Sequence, residues 1–172
     1  IILSSKSIIN RQTISLVEQN KISNFNGVPS TYEMIFKFKL ESIYLKNLKY
    51  VTQAGGALNE DTYNKLNNLS KKYNNKFFIM YGQTEASPRM SYLLANNIKF
   101  KRGMIGKPIQ GGTFCILDKN NKEILVPNKE GKLFYSGPNI FLGYANSYFE
   151  MKSIKKLQKK QILDTGDLAK FD

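Results

Sequence analysis

Residues 48–85 read LKYVTQAGGALNEDTYNKLNNLSKKYNNKFFIMYGQTE, and two periodicities within them point to one architecture. Leu48-Lys49-Tyr50-Val51-Thr52 has strand character and breaks at Gly55-Gly56. Asn59 then stands where a helix N-cap belongs, Glu60 and Asp61 suit the positive end of a helix dipole, and Leu66, Leu69 and Tyr73 recur at helical spacing. Phe77 to Met80 is a second short apolar run, closed by Tyr81-Gly82-Gln83-Thr84-Glu85. A strand, a helix of this length and another strand form a unit whose strands run parallel. Ligands of such sheets bind beyond the carboxyl ends of the strands. Two loops fall at that edge: Gln53-Ala54-Gly55-Gly56-Ala57 and Tyr81 to Glu85.

The same grammar extends upstream. Asn10 is placed to cap a helix running through Ile14 and Val17 toward Asn20, and Ile22 to Val28 is a short mixed run ending at Pro29. Ser30 and Glu33 have the spacing of a capping box, followed by the apolar positions Tyr32, Ile35 and Phe36. Downstream of about residue 95 the pattern changes. Glycines and Pro108 punctuate a loop, Thr113 to Leu117 reads as a strand, Asp118 to Lys122 as a hairpin turn and Leu133-Phe134-Tyr135 as another strand. Ile162-Leu163 leads into Asp164-Thr165-Gly166-Asp167, which has the composition of a tight turn. The expectation is an α/β fold: residues 1–95 as a mostly parallel sheet flanked by helices, and 96–172 as a small barrel-like β subdomain.

Composition narrows the chemistry. The 172 residues include no histidine, which removes His-based metal sites, Ser-His-Asp triads and the commonest general acid or base. Cys115 is the single cysteine, so no disulfide framework exists within the chain and a reducing, cytoplasmic setting is expected. No apolar run has the length of a membrane span and no signal peptide is visible. Lysine and arginine total 26 against 13 acidic residues, a net charge of +13 that would suit an anionic partner. The basic residues, however, are spread along the chain. Lys152, Lys155, Lys156, Lys159 and Lys160 are the exception, and read as a solvated helix face, with a nucleic-acid or phosphate patch as the alternative.

Six segments stand in order: Val28-Pro29-Ser30, Gly55-Gly56-Ala57, Tyr81 to Glu85, GMIGKPIQGG (103–112), GKLFYSGPNIFLGY (131–144) and Asp164 to Asp167. Each alone is a weak signal. Together they resemble the adenylate-forming superfamily, which includes acyl-CoA synthetases, carrier-protein ligases, peptide-synthetase adenylation domains and luciferases. The resemblance implies a partial acyl-CoA-synthetase-like fold belonging to an ATP-dependent acid:thiol ligase. Such enzymes make an acyl-adenylate from a carboxylic acid and pass the acyl group to CoA or to the phosphopantetheine of an acyl carrier protein. It further implies that Gly55, Gly56 and Ala57 form the adenine-contacting turn, that Tyr81 stacks on the base with Gly82 giving clearance, that Thr84 meets the α-phosphate, that Glu85 holds Mg²⁺ and that Asp167 accepts the ribose hydroxyls. Val28, Ser30 and Gln83 fall near the family's acyl pocket. A carboxylate substrate with a pKa near ~4 arrives ionised, so this mechanism needs no imidazole.

The family's glycine-rich phosphate loop and its lid lysine are not found among these residues; Lys160 and Lys170 match neither motif. The expectation is therefore a fragment of the large domain, inactive by itself, whose severed sheet edges would invite dimerisation. Two readings from other classes stand beside it: a basic module that binds nucleotide or polyanion without catalysis, and a scaffold that keeps only the fold. Under the favoured reading neither a nucleic-acid partner nor a membrane span is expected.

Overall fold

Asn10 and Asn59 each start a helix. In the computed structural model, Asn10 Oδ1 accepts the Gln12 N–H at 2.9 Å ahead of α1 (Arg11–Asn20). Asn59 Oδ1 accepts the Thr62 N–H at 2.8 Å ahead of α4 (Glu60–Tyr73). The structure describes residues 4–96, 98–150 and 162–172; the apolar opening Ile1-Ile2-Leu3 and the basic run 151–160 lie outside the described residues.

The capping box expected from Ser30 and Glu33 does not form. Helix α2 (Pro29–Lys37) begins with Pro29 in its first turn and Val28 as an N-cap without a capping side chain. Proline presets the helical φ and carries no N–H that needs an acceptor, so the helix starts there and Ser30 is already inside it. Glu33 instead accepts a hydrogen bond from Asn59 Nδ2 at 3.0 Å. A short helix, α3 (Glu41–Tyr44), follows.

Strands β1 (Asn24–Gly27), β2 (Tyr50–Gln53) and β3 (Lys76–Tyr81) run parallel. Their register carries Asn24 to Tyr50 to Lys76 and ends with Gly27 beside Gln53 beside Ile79. Strands β4 (Ser91–Leu94) and β5 (Lys107–Pro108) extend this mostly parallel sheet in the order β1-β2-β3-β4-β5. The chain forms two compact units: residues 1–81 with 92–107, and residues 82–91 with 108–172.

In the first unit alternation along the strands sorts the faces. Val51, Phe77 and Ile79 join Tyr32, Ile35, Tyr63 and Leu66 in the core beneath the helices. Tyr50, Phe78, Met80 and Tyr92 line an open hollow of about 290 Å³ on the other face. Three tyrosines bury their rings and hand the hydroxyl to a carbonyl: Tyr32 to Thr52 at 2.5 Å, Tyr44 to Ile8 at 2.6 Å and Tyr63 to Ile98 at 2.7 Å. Burial raises the pKa of all three phenols.

The second unit carries an antiparallel sheet of β6 (Thr113–Leu117), β7 (Gly131–Ser136) and β8 (Ile162–Ala169). Where a barrel-like subdomain is expected, the described residues form this three-stranded sheet. Asp118 forms the expected turn, its Oδ1 accepting the N–H of Asn120 at 2.8 Å and of Lys122 at 2.9 Å. Cys115 in β6 pairs with Phe134 of β7, and burial, with the nearby Glu123 carboxylate, pushes its thiol pKa up. The expected tight turn at Asp164 to Asp167 is instead an irregularity inside β8. Pairing with β7 shifts between Lys132 and Phe134, Gly166 N–H bonds to Asp164 Oδ1 at 3.0 Å, and Thr165 Oγ1 donates to Leu133 O at 2.8 Å. Such a bulge absorbs extra residues without ending the strand. Among the described residues no helix is long and apolar enough to cross a membrane, and no group of three or more acidic or thiol side chains forms a metal cluster.

Candidate functional site

Because β1, β2 and β3 are parallel, their carboxyl ends share one rim, and the loops leaving that rim carry the first group of candidate residues. The loops after β1 and β2 are tied: Ala54 N–H bonds to Gly27 O at 3.2 Å. Gly55 has φ +79°, and a Cβ built there would lie 3.2 Å from Val28 Cγ1. Only glycine adopts that φ without strain, so the turn at 55–57 keeps a bare backbone facing the loop that carries Val28 and Ser30. Gln53, the last residue of β2, is 1% exposed and donates from Nε2 to Gly56 O at 2.6 Å. The sequence reading passed over this brace. Its signal was a long amide side chain just ahead of a glycine pair, although a buried glutamine cannot be told from a solvated one by type. Val28, Ser30, Gly55, Gly56 and Ala57 are exposed, and Tyr81, at the end of β3, is half-buried.

The second unit holds the remainder. Gly82 precedes a 3₁₀ turn, Thr84–Ala86, for which Gln83 is the N-cap residue. A Cβ on Gly82 would collide with Pro88 O, so this glycine is required by its own loop. Gln83 Nε2 is buried without a hydrogen-bond partner among the described residues. Thr84 is exposed. Tyr144 donates its hydroxyl to Glu85 Oε1, and Phe141 N–H bonds to Glu85 O at 2.7 Å. The Tyr144 hydrogen bond, with help from Glu85's own backbone N–H, holds this carboxyl below its ordinary pKa, so it is ionised at neutral pH.

Behind that turn lies Asn139. Its Nδ2 donates to Ala86 O at 2.6 Å and to Arg89 O at 2.7 Å, its Oδ1 accepts from Tyr135 at 2.7 Å, and its backbone oxygen accepts from Ser87 Oγ at 3.0 Å. Asn139 and Tyr144 lie in a segment whose motif was recognised from sequence, but neither received a role there. No periodicity reports a contact made 50 to 59 residues away. Asp167 belongs to β8 rather than to the Thr84–Ala86 turn, and its N–H bonds to Thr165 Oγ1 at 3.2 Å.

A parallel sheet flanked by helices, with loops gathered at its carboxyl rim, defines an α/β protein of the kind that holds ligands at that rim. More particularly, the chain belongs to the AMP-binding enzyme family, whose model matches residues 1–145. It is 34% identical over 151 residues to the oxalate–CoA ligase of Saccharomyces cerevisiae, covering 86% of this chain and 26% of that protein. It resembles in fold the crystal structure of CmiS6, with a TM-score of 0.77 and 19% identity over 99% of this chain and 43% of the other. It also resembles the O-succinylbenzoate coenzyme A synthetase of Bacillus subtilis in complex with ATP and magnesium ion, with a TM-score of 0.69 and 17% identity over 94% of this chain and 32% of that one. The chain spans a little over a quarter of the length of the curated relatives it matches.

The donor set suits the cation that AMP-forming chemistry employs. Mg²⁺ keeps several waters and takes one or two carboxylates together with substrate phosphates, so a single ionised Glu85 is an adequate protein ligand.

Proposed function

We propose that the protein carrying this chain is an AMP-forming acid:thiol ligase acting in the cytoplasm. The observation that supports it best is the rim itself: bare backbone at Gly55 and Gly56 against the Val28 loop, with Tyr81 leaving the next strand. In this reading the 55–57 turn and the Tyr81 ring hold adenine, Asp167 takes the ribose hydroxyls and the Thr84 hydroxyl donates to the α-phosphate. Val28, Ser30 and Gln83 border the acyl group, where the unpartnered Gln83 amide has a donor to offer.

The first half-reaction joins a substrate carboxylate oxygen to the α-phosphorus and breaks the bond to pyrophosphate. The carboxylate is ionised already and no proton is moved, which is why a chain without histidine suits the step. Glu85 would hold Mg²⁺, which supplies charge neutralisation at the phosphate oxygens. In the second half-reaction the thiol of CoA or of a carrier's phosphopantetheine attacks the acyl carbonyl, AMP leaves and the thiol proton is released. The 172 residues by themselves are expected to form no acyl-adenylate, since neither the glycine-rich phosphate loop nor the lid lysine is recognised in their sequence.

The test is Glu85→Gln in the full-length protein, read by carboxylate-dependent exchange of pyrophosphate into ATP. Exchange should fall on the order of a hundredfold, the usual cost of removing a preorganised group at a developing charge. Exchange at the parental rate, with the parental Mg²⁺ requirement, would contradict the role given to Glu85.

A further inference from the structure

Glu85 is not a free carboxylate on a turn. Its main chain is pinned by the Phe141 N–H at 2.7 Å, and its side chain is met by the Tyr144 hydroxyl. Tyr144 itself is 76% exposed, so burial of its ring does not explain where it lies. What fixes it is Phe141, against whose ring it packs edge to face with centroids 4.8 Å apart and planes at 77°. One short segment therefore grips Glu85 twice, through Phe141's backbone and through Tyr144's side chain. Glu85 Oε1 accepts from the phenol, so a cation would meet the carboxylate at Oε2.

We propose that Tyr144 is a positioning residue for cation binding: its hydroxyl holds Glu85 Oε1 so that Oε2 is presented to the metal in one orientation. This rests on the reading of Glu85 as the metal ligand. A carboxylate on three rotatable bonds must otherwise lose that freedom whenever it binds, and a hydrogen-bonded partner behind the ligand removes the loss in advance. The partner is a neutral donor, which suits the task. A lysine or arginine there would compete with the cation, whereas a phenol orients the carboxylate and leaves its charge in place.

The experiment uses the full-length protein and Mn²⁺ as the probe, with binding in the presence of α,β-methylene-ATP followed by electron paramagnetic resonance. Tyr144→Phe keeps the ring against Phe141 and deletes only the hydroxyl. It should weaken Mn²⁺ binding about tenfold, the lower end of what partners behind metal ligands contribute. Binding of α,β-methylene-ATP in EDTA and the thermal midpoint should stay as in the parent. Glu85→Gln should abolish Mn²⁺ binding to the protein, leaving the resonance of unbound Mn²⁺ undiminished, and Glu85→Gln/Tyr144→Phe should be no worse than Glu85→Gln alone. If Tyr144→Phe changes Mn²⁺ affinity less than twofold while Glu85→Gln abolishes it, the Tyr144 role is wrong and the Glu85 role stands. If Glu85→Gln leaves Mn²⁺ binding intact, both fall. Equal losses in EDTA and in Mn²⁺ would make Tyr144 a packing residue and overturn the proposal.

Discussion

At the scale of single residues, Gly82 shows how sequence and structure divide the explanation. A glycine between an aromatic and the acidic turn reads as clearance for a bound base, and the close approach to Pro88 O adds a demand from the protein's own backbone. Gly82→Ala should therefore destabilise the apo protein by about 2–3 kcal/mol, in the range of overpacking against atoms that cannot step aside. Denaturant unfolding without nucleotide checks this, because a residue that only clears a ligand would leave the apo midpoint where it was. Tyr144 is the complementary case, since nothing in its type or its neighbours in sequence reveals that it meets Glu85.

At the scale of elements, the turn at 84–89 and the loop at 137–144 behave as one piece through Asn139. Asn139→Ala removes two hydrogen bonds to carbonyls and the acceptor of Tyr135, which should cost about 3 kcal/mol at roughly 1 kcal/mol each. Hydrogen exchange at the Phe141 amide, protected in the parent by Glu85 O, should quicken in that variant while amides of β2 and β3 keep their rates. Local elements were readable wherever the cause was local. The caps at Asn10 and Asn59 and the turn at Asp118 depend on a side chain reaching a backbone group two to four residues away, and all three form. Ser30 and Glu33 misled because two rules competed at one spot and Pro29 won. Asp164 to Asp167 misled because its turn-like composition answers to a strand partner, and the bulge opposite Leu133 exists only once β7 lies alongside. Within the candidate site the loops at the rim were legible from the strand–helix–strand order, whereas the braces Gln53, Asn139 and Tyr144 act through contacts that no spacing encodes.

At the scale of the whole molecule, buried phenols tie stability to alkaline pH. Tyr32, Tyr44 and Tyr63 in the first unit and Tyr135 in the second are buried, and burial raises each pKa above the ordinary value of 10. Because the folded state holds these protons more tightly than the unfolded one, their contribution to stability is fully present below pH 10 and is lost as the pH climbs beyond it. The slope is at most about 1.4 kcal/mol per pH unit for each phenol. Stability measured from pH 8 to 12 should stay level and then fall, and Tyr32→Phe should make the fall shallower; an equal slope in that variant would contradict it. The lone thiol of the chain offers a way to watch such events. Cys115 is the only atom that a maleimide dye can take at neutral pH, and its raised pKa keeps the reactive thiolate scarce while β6 stays paired with β7. Its labelling rate thus becomes a clock wound by the opening of the second sheet, ticking faster as mild denaturant is added.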